Sequence, residues 1–232
     1  TGSSPTYIML CSTPVRTLEE LKGKKYRSGA ANFGRWAEHF GGVKVSIPGN
    51  DIYEALGQGV IDCAMLSATE LTNLSLFDLV KFVTRRIPGG VFSGVATNNV
   101  NVDTWKDLTT EERAVFLKAA AGINADLTWK YYSDAKKNLE DSPGKGVEVF
   151  EPTPEIMAAS DAFVKGDLKV ISEQFTKDYG LTNVDAKIVK ITELVEKWKT
   201  LTADIADDRD ALAKLYWDEI YSKIDPATFG MN

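Results

Sequence analysis

Arg27 is the side chain whose type and position most clearly suggest chemistry. It ends a short predicted strand and is followed by four small residues, Ser28-Gly29-Ala30-Ala31, and then by the predicted start of a helix. Small residues let a ligand approach the backbone, and an arginine fork beside the positive end of a helix dipole suits a carboxylate. The other interpretation is an arginine that is solvated or paired with a nearby acid. The local pattern leaves both open.

Candidates for catalysis or metal binding do not converge in this sequence. The one histidine, His39, falls in a predicted helix and is interpreted as a partly exposed helix residue, and a single histidine cannot supply a Ser-His-Asp triad. The Gly-rich stretch 88–94 lacks the Lys and Ser/Thr of a phosphate-binding loop and precedes no helix, which favours a crossing between two lobes. We therefore expect no enzyme, no metal and no cofactor.

The two cysteines, Cys11 and Cys63, both fall on predicted strands and lack a metal-binding spacing. In a cytosolic protein they would be two buried thiols that behave as small apolar side chains. In an exported protein they would form a disulfide between neighbouring strands, worth about 2 to 5 kcal/mol. The residues alone do not choose between these alternatives.

Composition limits the class of protein. The chain has 232 residues, 44% hydrophobic and 26% charged, with a net charge of −6 and a pI near 5.0. It is too apolar for a disordered chain, and its acidic balance argues against a nucleic-acid partner. The most apolar window, 55–66, contains Gln58 and Asp62, so we expect no membrane span. No charged and then apolar leader follows Thr1, so we expect a secretory signal that is already removed or not encoded.

The elements that must position Arg27 alternate along the first third of the chain, which predicts a mainly parallel α/β sheet. Asn50 is the predicted N-cap of one of its helices. The predicted strands are 7–11, 24–27, 43–47 and 60–66, and the predicted helices are 17–23, 32–40 and 51–58. A helical stretch at 74–83, a β-like stretch at 89–96, a helix at 110–141, a strand at 147–150 and helices at 154–179, 184–203 and 208–224 are predicted beyond them.

The predicted helix 110–141 is too long for one small core. At 1.5 Å per residue it extends about 45 Å. Its apolar positions drift from a strict heptad, which argues against a coiled coil and favours a helix that bridges two lobes.

Three blocks of residues resemble a known family. The segments 17–27 (TLEELKGKKYR), 51–62 (DIYEALGQGVID) and 105–109 (WKDLT), with Glu111 and Arg113, stand in the order and spacing of the solute-binding proteins of tripartite ATP-independent periplasmic (TRAP) transporters. The resemblance covers about residues 7 to 180.

The resemblance implies an α/β fold of the periplasmic binding protein type, with two lobes, crossing strands and a long bridging helix. Residues 5–92 would form the second lobe. Residues 93–132 would form the crossing strand and the start of the bridging helix, which return to the first lobe. Residues 133–232 would form the end of the bridging helix, the last strand and C-terminal helices that pack on the second lobe and the hinge. Family members carry further βα units before the first of these strands, so we expect an incomplete first lobe.

The function that the resemblance implies is a periplasmic receptor that binds an organic acid and delivers it to TRAP membrane subunits. The alternative is a periplasmic sensor domain that signals to a receptor. The family's carboxylate-clamping arginine corresponds to Arg27, and a periplasmic location favours the Cys11–Cys63 disulfide.

The expected pocket departs from the family pattern at two positions. Leu66 stands where the family often has an Asn, and Gly49 where it often has an aromatic residue. Asn50, Ser67 and Phe92 are the further expected ligand contacts.

Overall fold

The computed structural model describes residues 2–87, 93–96 and 98–231. The strands are β1 (Gly2–Thr6), β2 (Ile8–Cys11), β3 (Lys25–Arg27), β4 (Val43–Val45), β5 (Cys63–Leu66), β6 (Phe82–Thr84), β7 (Ser93–Ala96) and β8 (Glu148–Phe150). The helices are α1 (Leu18–Leu21), α2 (Ala31–His39), α3 (Ile52–Gly57), α4 (Glu70–Asn73), α5 (Val102–Asp107), α6 (Thr110–Asp141), α7 (Pro154–Tyr179), α8 (Val184–Thr202) and α9 (Arg209–Glu219).

The chain divides into two compact units. The larger unit comprises residues 6–93 and 134–197, and the smaller one comprises 1–5, 94–133 and 198–232. The long helix α6 divides between the units after Ser133, in agreement with a bridging helix. Residues 198–232 group with 94–133, whereas the division expected from the sequence attached them to the second lobe and hinge.

A six-stranded sheet in the order β4-β3-β5-β2-β6-β8 forms the centre of the larger unit. β3 is parallel to β4 and β5, and β6 is parallel to β8, while β2 runs antiparallel to both of its neighbours. The mainly parallel sheet expected from the sequence therefore has one reversed strand in its interior. Its direction was not predictable because a strand buried on both faces has the same apolar pattern whichever way it runs.

Each face of this sheet packs against its own cluster of apolar side chains. Along β2, Ile8 and Leu10 face one cluster, whereas Met9 and Cys11 face the other, and all four residues are buried. The first cluster includes side chains from α3 and the C-terminal part of α6, and the second includes side chains from α2 and α7. Strands β2 and β5 are thus fixed by packing on both sides.

Cys11 and Cys63 form a disulfide between β2 and β5, as the resemblance implied. The two residues are directly opposite each other, with their Cα atoms 4.1 Å apart. The next N–H, from Ser12, donates to the carbonyl of Asp62 at 2.9 Å, so the cysteines occupy a non-hydrogen-bonded position of the ladder. Side chains approach each other most closely at such positions, which suits a cross-strand disulfide.

The helix predicted at 74–83 is wrong. This stretch contains a 3-10 turn, Leu76–Asp78, and then β6, and Ser75 has a left-handed backbone with φ of 55°. That conformation stops the short helix α4 from continuing. Val80 and Val83 are buried all the same, and both belong to the apolar cluster that includes Leu10.

Asn50 does not cap a helix, contrary to the sequence-based expectation. A 3-10 turn, Gly49–Asp51, follows Pro48 and leads directly into α3, whose N-cap position is Asp51. The chain therefore begins to coil before Asn50, which removes the extended N-cap conformation that its side chain would need.

The smaller unit is held together by the N-terminal part of α6, by α5 and by α9. Its core contains Trp105, Leu117, Leu212 and Tyr216. The guanidinium of Arg113 is buried and donates to the carbonyl oxygens of Leu108, Trp105 and Pro226. It thus connects α6 to α5 and the residue that follows it, and to the segment after α9.

Among the described residues, none of the helices combines the length and the apolar character that crossing a membrane requires.

Candidate functional site

The candidate site lies at the edge of the sheet where three parallel strands end. Arg27, at the end of β3, is in register with Val45 of β4 and Ala64 of β5. Because neighbouring parallel strands point the same way, the segments that follow β3, β4 and β5 meet at one edge. In open α/β sheets, ligands bind outside this carboxyl edge.

Arg27 lines a cleft of about 540 Å³ at this edge. Its Nε donates to the carbonyl of Ile47 at 3.3 Å. Within the described residues, no Asp or Glu carboxylate pairs with its guanidinium. The cleft is lined by Arg27, Ser28, Gly29, Ala30, Ala31, Lys44, Ser46, Ile47 and Pro48.

Two glycines leave room around the guanidinium of Arg27. A methyl group at Gly29 would lie 2.5 Å from Nη1, and one at Gly49 would lie 3.9 Å from Nη2 with no other atom within 4 Å. The absence of a side chain at Gly29 thus allows the guanidinium to occupy its present position. Gly49, where the sequence departs from the family's aromatic residue, leaves open space beside it.

Burial lowers the pKa of Arg27 below its usual value, and the nearby phenol of Tyr7 opposes this shift. An arginine stays charged nonetheless. The half-buried guanidinium has lost part of its hydration and has gained no carboxylate partner among the described residues. Hydrogen bonds to an anionic ligand would replace the lost hydrogen bonds to water.

Tyr7 was not predicted from the sequence as a residue of this site. It precedes β2, which runs opposite to β5 with Ile8 paired to Leu66, so the reversed strand brings Tyr7 to the carboxyl edge. Its ring stacks on Phe33 of α2 with a centroid distance of 5.9 Å. Only the direction of β2 could have indicated this placement.

The loop after Arg27 leads into α2 with its backbone already held in place. The Ser28 N–H donates to the Val45 carbonyl at 2.8 Å, and its hydroxyl donates to the Ala30 carbonyl at 2.7 Å. Ala30 is the N-cap and provides no side-chain cap to α2. The positive end of the helix dipole therefore faces the segment that lines the cleft.

Helix α2 is fixed from behind by α7. Arg35 forms a two-pronged ion pair with the buried Asp167, at 2.6 and 2.8 Å, and Trp36 Nε1 donates to the Ser160 hydroxyl at 2.8 Å. The carboxylate raises the pKa of Arg35, chiefly through this hydrogen bond. These contacts hold the element that carries one wall of the cleft.

Lys44 is a second cation in the cleft and was not predicted from the sequence. It lies in the middle of β4, and its aliphatic stem lies against Gly34 of α2, where a methyl group would be 2.5 Å from Cδ. Glycine in a helix interior is unfavourable and often marks a close approach, so Gly34 was the available signal.

The other expected contacts differ in their placement. Asn50 is exposed on the 3-10 turn after β4. Ser67 follows β5 at the same sheet edge but is buried, and its hydroxyl donates to Thr69 Oγ1 at 2.9 Å and accepts from the Thr69 N–H at 3.1 Å. Phe92 lies outside the described residues. A role for any of the three in ligand binding stays a prediction.

A second cleft, of about 660 Å³, surrounds His39 and Phe40 and does not include Arg27. Its cation Lys22 already pairs with Glu19 at 2.6 Å, and Glu155 adds a further negative charge. The cleft at Arg27 is therefore the better candidate for binding an anion, because its lining residues include two cations and no Asp or Glu.

Comparisons with known proteins agree on one family. Residues 6–175 match the sequence profile of the bacterial extracellular solute-binding protein family 7, DctP. A solute-binding protein of Albidiferax ferrireducens is 24% identical over 170 residues, which are 73% of this chain and 48% of that protein. The chain thus spans about half the length of this curated relative.

Solved structures of TRAP periplasmic solute-binding proteins share the fold. One from Rhodoferax ferrireducens with bound malonate has a TM-score of 0.67 at 20% identity, covering 84% of this chain and 61% of that one. One from Pseudomonas putida F1 with bound D-glucuronate has a TM-score of 0.62 at 22% identity, covering 78% and 59%.

The profile match extends over most of the chain, and the fold agrees with it. Members of the family are solute-binding receptors rather than enzymes. The chain belongs to the bacterial extracellular solute-binding protein family 7, DctP.

Proposed function

We propose that this chain is the ligand-binding part of an extracytoplasmic receptor that binds an organic acid anion through Arg27. One observation carries the proposal. A half-buried arginine lines a cleft at the carboxyl edge of the sheet and, among the described residues, has no carboxylate partner.

The geometry suits a carboxylate in particular. A guanidinium presents parallel N–H donors that match the two oxygens of a carboxylate. Nε of Arg27 is engaged by Ile47, which leaves the Nη groups beside Gly29 and Gly49 to meet the ligand. Removal of one partner from such a desolvated pair costs about 2 to 5 kcal/mol.

The ligands of related structures support the chemical class. Malonate, D-glucuronate and β-D-galacturonate, bound in three of them, are all carboxylates. At 20 to 22% identity these structures support the fold and do not name the acid bound by this chain.

The proposed setting is the periplasm, where the receptor would hand its ligand to the membrane subunits of a TRAP transporter. The disulfide Cys11–Cys63 supports this location, because disulfides persist in oxidising compartments.

The test is loss of binding on removal of Arg27. Mass spectrometry of ligand retained through native purification, together with calorimetry on a panel of organic acids, identifies an acid that binds. We expect Arg27→Ala to weaken that binding at least thirtyfold, about 2 kcal/mol, because the carboxylate loses its charged partner.

Arg16→Ala is the matched control. Arg16 is an exposed arginine of the same unit, pairs with Glu148 at 3.0 Å and does not line the cleft. It should keep wild-type affinity. Equal affinities of the Arg27→Ala variant and the wild type would rule the proposal out.

A further inference from the structure

Helix α2 begins at the cleft and is attached to α7. Ala31, its first residue, lines the cleft, and residues 28–30 connect it directly to Arg27. The helix has nine residues and no side-chain cap at its start. Because a helix this short is marginal without tertiary contacts, its position depends on the elements that it packs against.

Two contacts attach α2 to α7. The guanidinium of Arg35 donates to both carboxylate oxygens of Asp167, and Trp36 Nε1 donates to the Ser160 hydroxyl. Ser160 and Asp167 lie on the same helix, about 10 Å apart along its axis. One of these contacts alone would leave α2 free to pivot, whereas two contacts at this separation fix its direction across α7.

Stability alone explains the ion pair of Arg35 and Asp167 poorly, because the pair is buried. The side chain of Asp167 is 8% exposed and that of Arg35 is 24% exposed. Desolvation of two such charges offsets much of their attraction, and apolar side chains of similar volume often keep or raise stability at such a site. The pair does supply geometry, since a guanidinium that donates to both oxygens of a carboxylate is held in one orientation.

One turn of α2 connects this ion pair to the cleft. Arg35 follows Ala31 by four residues, about 6 Å along the helix axis. In the connection back to Arg27, Ser28 is hydrogen-bonded through both its N–H and its hydroxyl. The backbone of Gly29 lies directly against the guanidinium of Arg27. So short and constrained a connection can absorb little movement, and a displaced α2 would displace the backbone beside the guanidinium.

We propose that Arg35 and Asp167 are positioning residues for anion binding, because their ion pair sets the direction of α2 and so holds the cleft wall beside Arg27 in its binding geometry. Neither residue of the pair lines the cleft. The inference rests on the proposed function, since it assumes that Arg27 binds the carboxylate. It assigns the buried pair to ligand affinity rather than to stability.

The experiment replaces the ion pair and leaves the second contact between α2 and α7 intact. Malonate, D-glucuronate and β-D-galacturonate are titrated calorimetrically into the wild type, Arg27→Ala and the double variant Arg35→Met/Asp167→Leu. Thermal melts measure the stability of each protein. Arg16→Met/Glu148→Leu is the matched control, because this ion pair belongs to the same unit and lies neither on α2 nor in the cleft.

We expect Arg35→Met/Asp167→Leu to melt at or above the wild-type temperature and to bind the best of the three acids about five- to tenfold more weakly. Arg35→Lys keeps the charge of the pair and loses the fork, so it should bind about threefold more weakly. The control should bind like the wild type. If the apolar double variant is destabilised, Arg35→Lys decides: weaker binding supports the inference, and wild-type affinity overturns it.

The outcomes separate the two proposals. If Arg27→Ala abolishes binding while the variants of Arg35 and Asp167 keep wild-type affinity, or lose no more than the control does, the pair is structural only and the inference alone is overturned. A wild type that binds none of the three acids overturns the inference as well, because no bound anion is left for the pair to position. If Arg27→Ala binds an acid like the wild type, the proposed function fails and the inference fails with it.

Discussion

At the scale of single residues, the guanidinium of Arg27 has its position because residue 29 has no side chain. The methyl group of an alanine there would lie 2.5 Å from Nη1 and 2.9 Å from Cζ. At these distances the methyl group would clash with the guanidinium. The end of the flexible arginine side chain would move, and the backbone would not. We therefore expect Gly29 to act on ligand affinity through the placement of Arg27.

We predict that Gly29→Ala weakens binding of the acid about tenfold while the melting temperature changes little. Gly29 is exposed and its φ is not positive, so the fold tolerates an alanine, whereas a misplaced guanidinium loses its two-pronged contact. Calorimetry and thermal melts measure the two effects.

Gly144→Ala is the control for that variant, because a methyl group at residue 144 meets no atom within 4 Å. It should leave binding unchanged. An unaltered affinity in Gly29→Ala would mean that Arg27 reaches its ligand from a different side-chain position.

At the scale of elements, the bond between Cys11 and Cys63 joins the reversed strand β2 to the parallel strand β5. The two cysteines are 52 residues apart in the chain. In the chain-entropy account, closure of a loop of this length lowers the conformational entropy of the unfolded chain and so stabilises the folded state by about 4 kcal/mol. Both cysteines are also part of one apolar cluster, so the bond lies inside the packed core.

We predict that reduction with dithiothreitol lowers the free energy of unfolding by about 2 to 5 kcal/mol. Guanidinium chloride titrations with and without reductant measure this difference. The double variant Cys11→Ala/Cys63→Ala should be comparably destabilised and insensitive to reductant. The same unfolding midpoint for oxidised and reduced protein would contradict the prediction. It would show that the packing of β2 and β5 stabilises the fold without the disulfide.

Elements set by local patterns were predictable from the sequence. Helix α6 begins and ends as expected at Thr110 and Asp141, and it starts with reciprocal hydrogen bonds between Thr109 and Glu112. The direction of β2 was not predictable, because a continuous run of apolar residues reads the same whichever way the strand runs.

The same distinction holds for the candidate site. Arg27 could be selected from its local sequence, a strand end followed by small residues. Lys44 could not, because its placement depends on the pairing of β3 with β4 and on the contact with Gly34. Neither contact is encoded in the residues next to Lys44.

At the scale of the whole molecule, the net charge of −6 opposes the proposed ligand. Taken at an average distance of about 20 Å, this charge costs a dianion roughly 1 kcal/mol in 10 mM salt and about a few tenths of a kcal/mol at physiological salt. The cations of the cleft act at contact distance and are much less screened. Local attraction therefore has to exceed a weak general repulsion.

We predict that neutralising acids remote from the cleft strengthens binding of an organic dianion. Asp161, Glu173 and Asp178 are exposed on α7 and do not line the cleft. The triple variant Asp161→Asn/Glu173→Gln/Asp178→Asn removes three negative charges from −6 and leaves −3. In 10 mM salt its affinity should be about two- to threefold higher than that of the wild type.

The control keeps each charge and exchanges its carrier, as Asp161→Glu/Glu173→Asp/Asp178→Glu, and it should bind like the wild type. In 0.5 M salt the Debye length shortens to about 4 Å, so the advantage of the neutralised variant should disappear while the contact with Arg27 persists. An advantage that survives high salt would instead indicate a direct structural effect of α7. Equal affinities in 10 mM salt would contradict the prediction. They would show that these three acids do not influence the ligand and that only the charges of the cleft act on it.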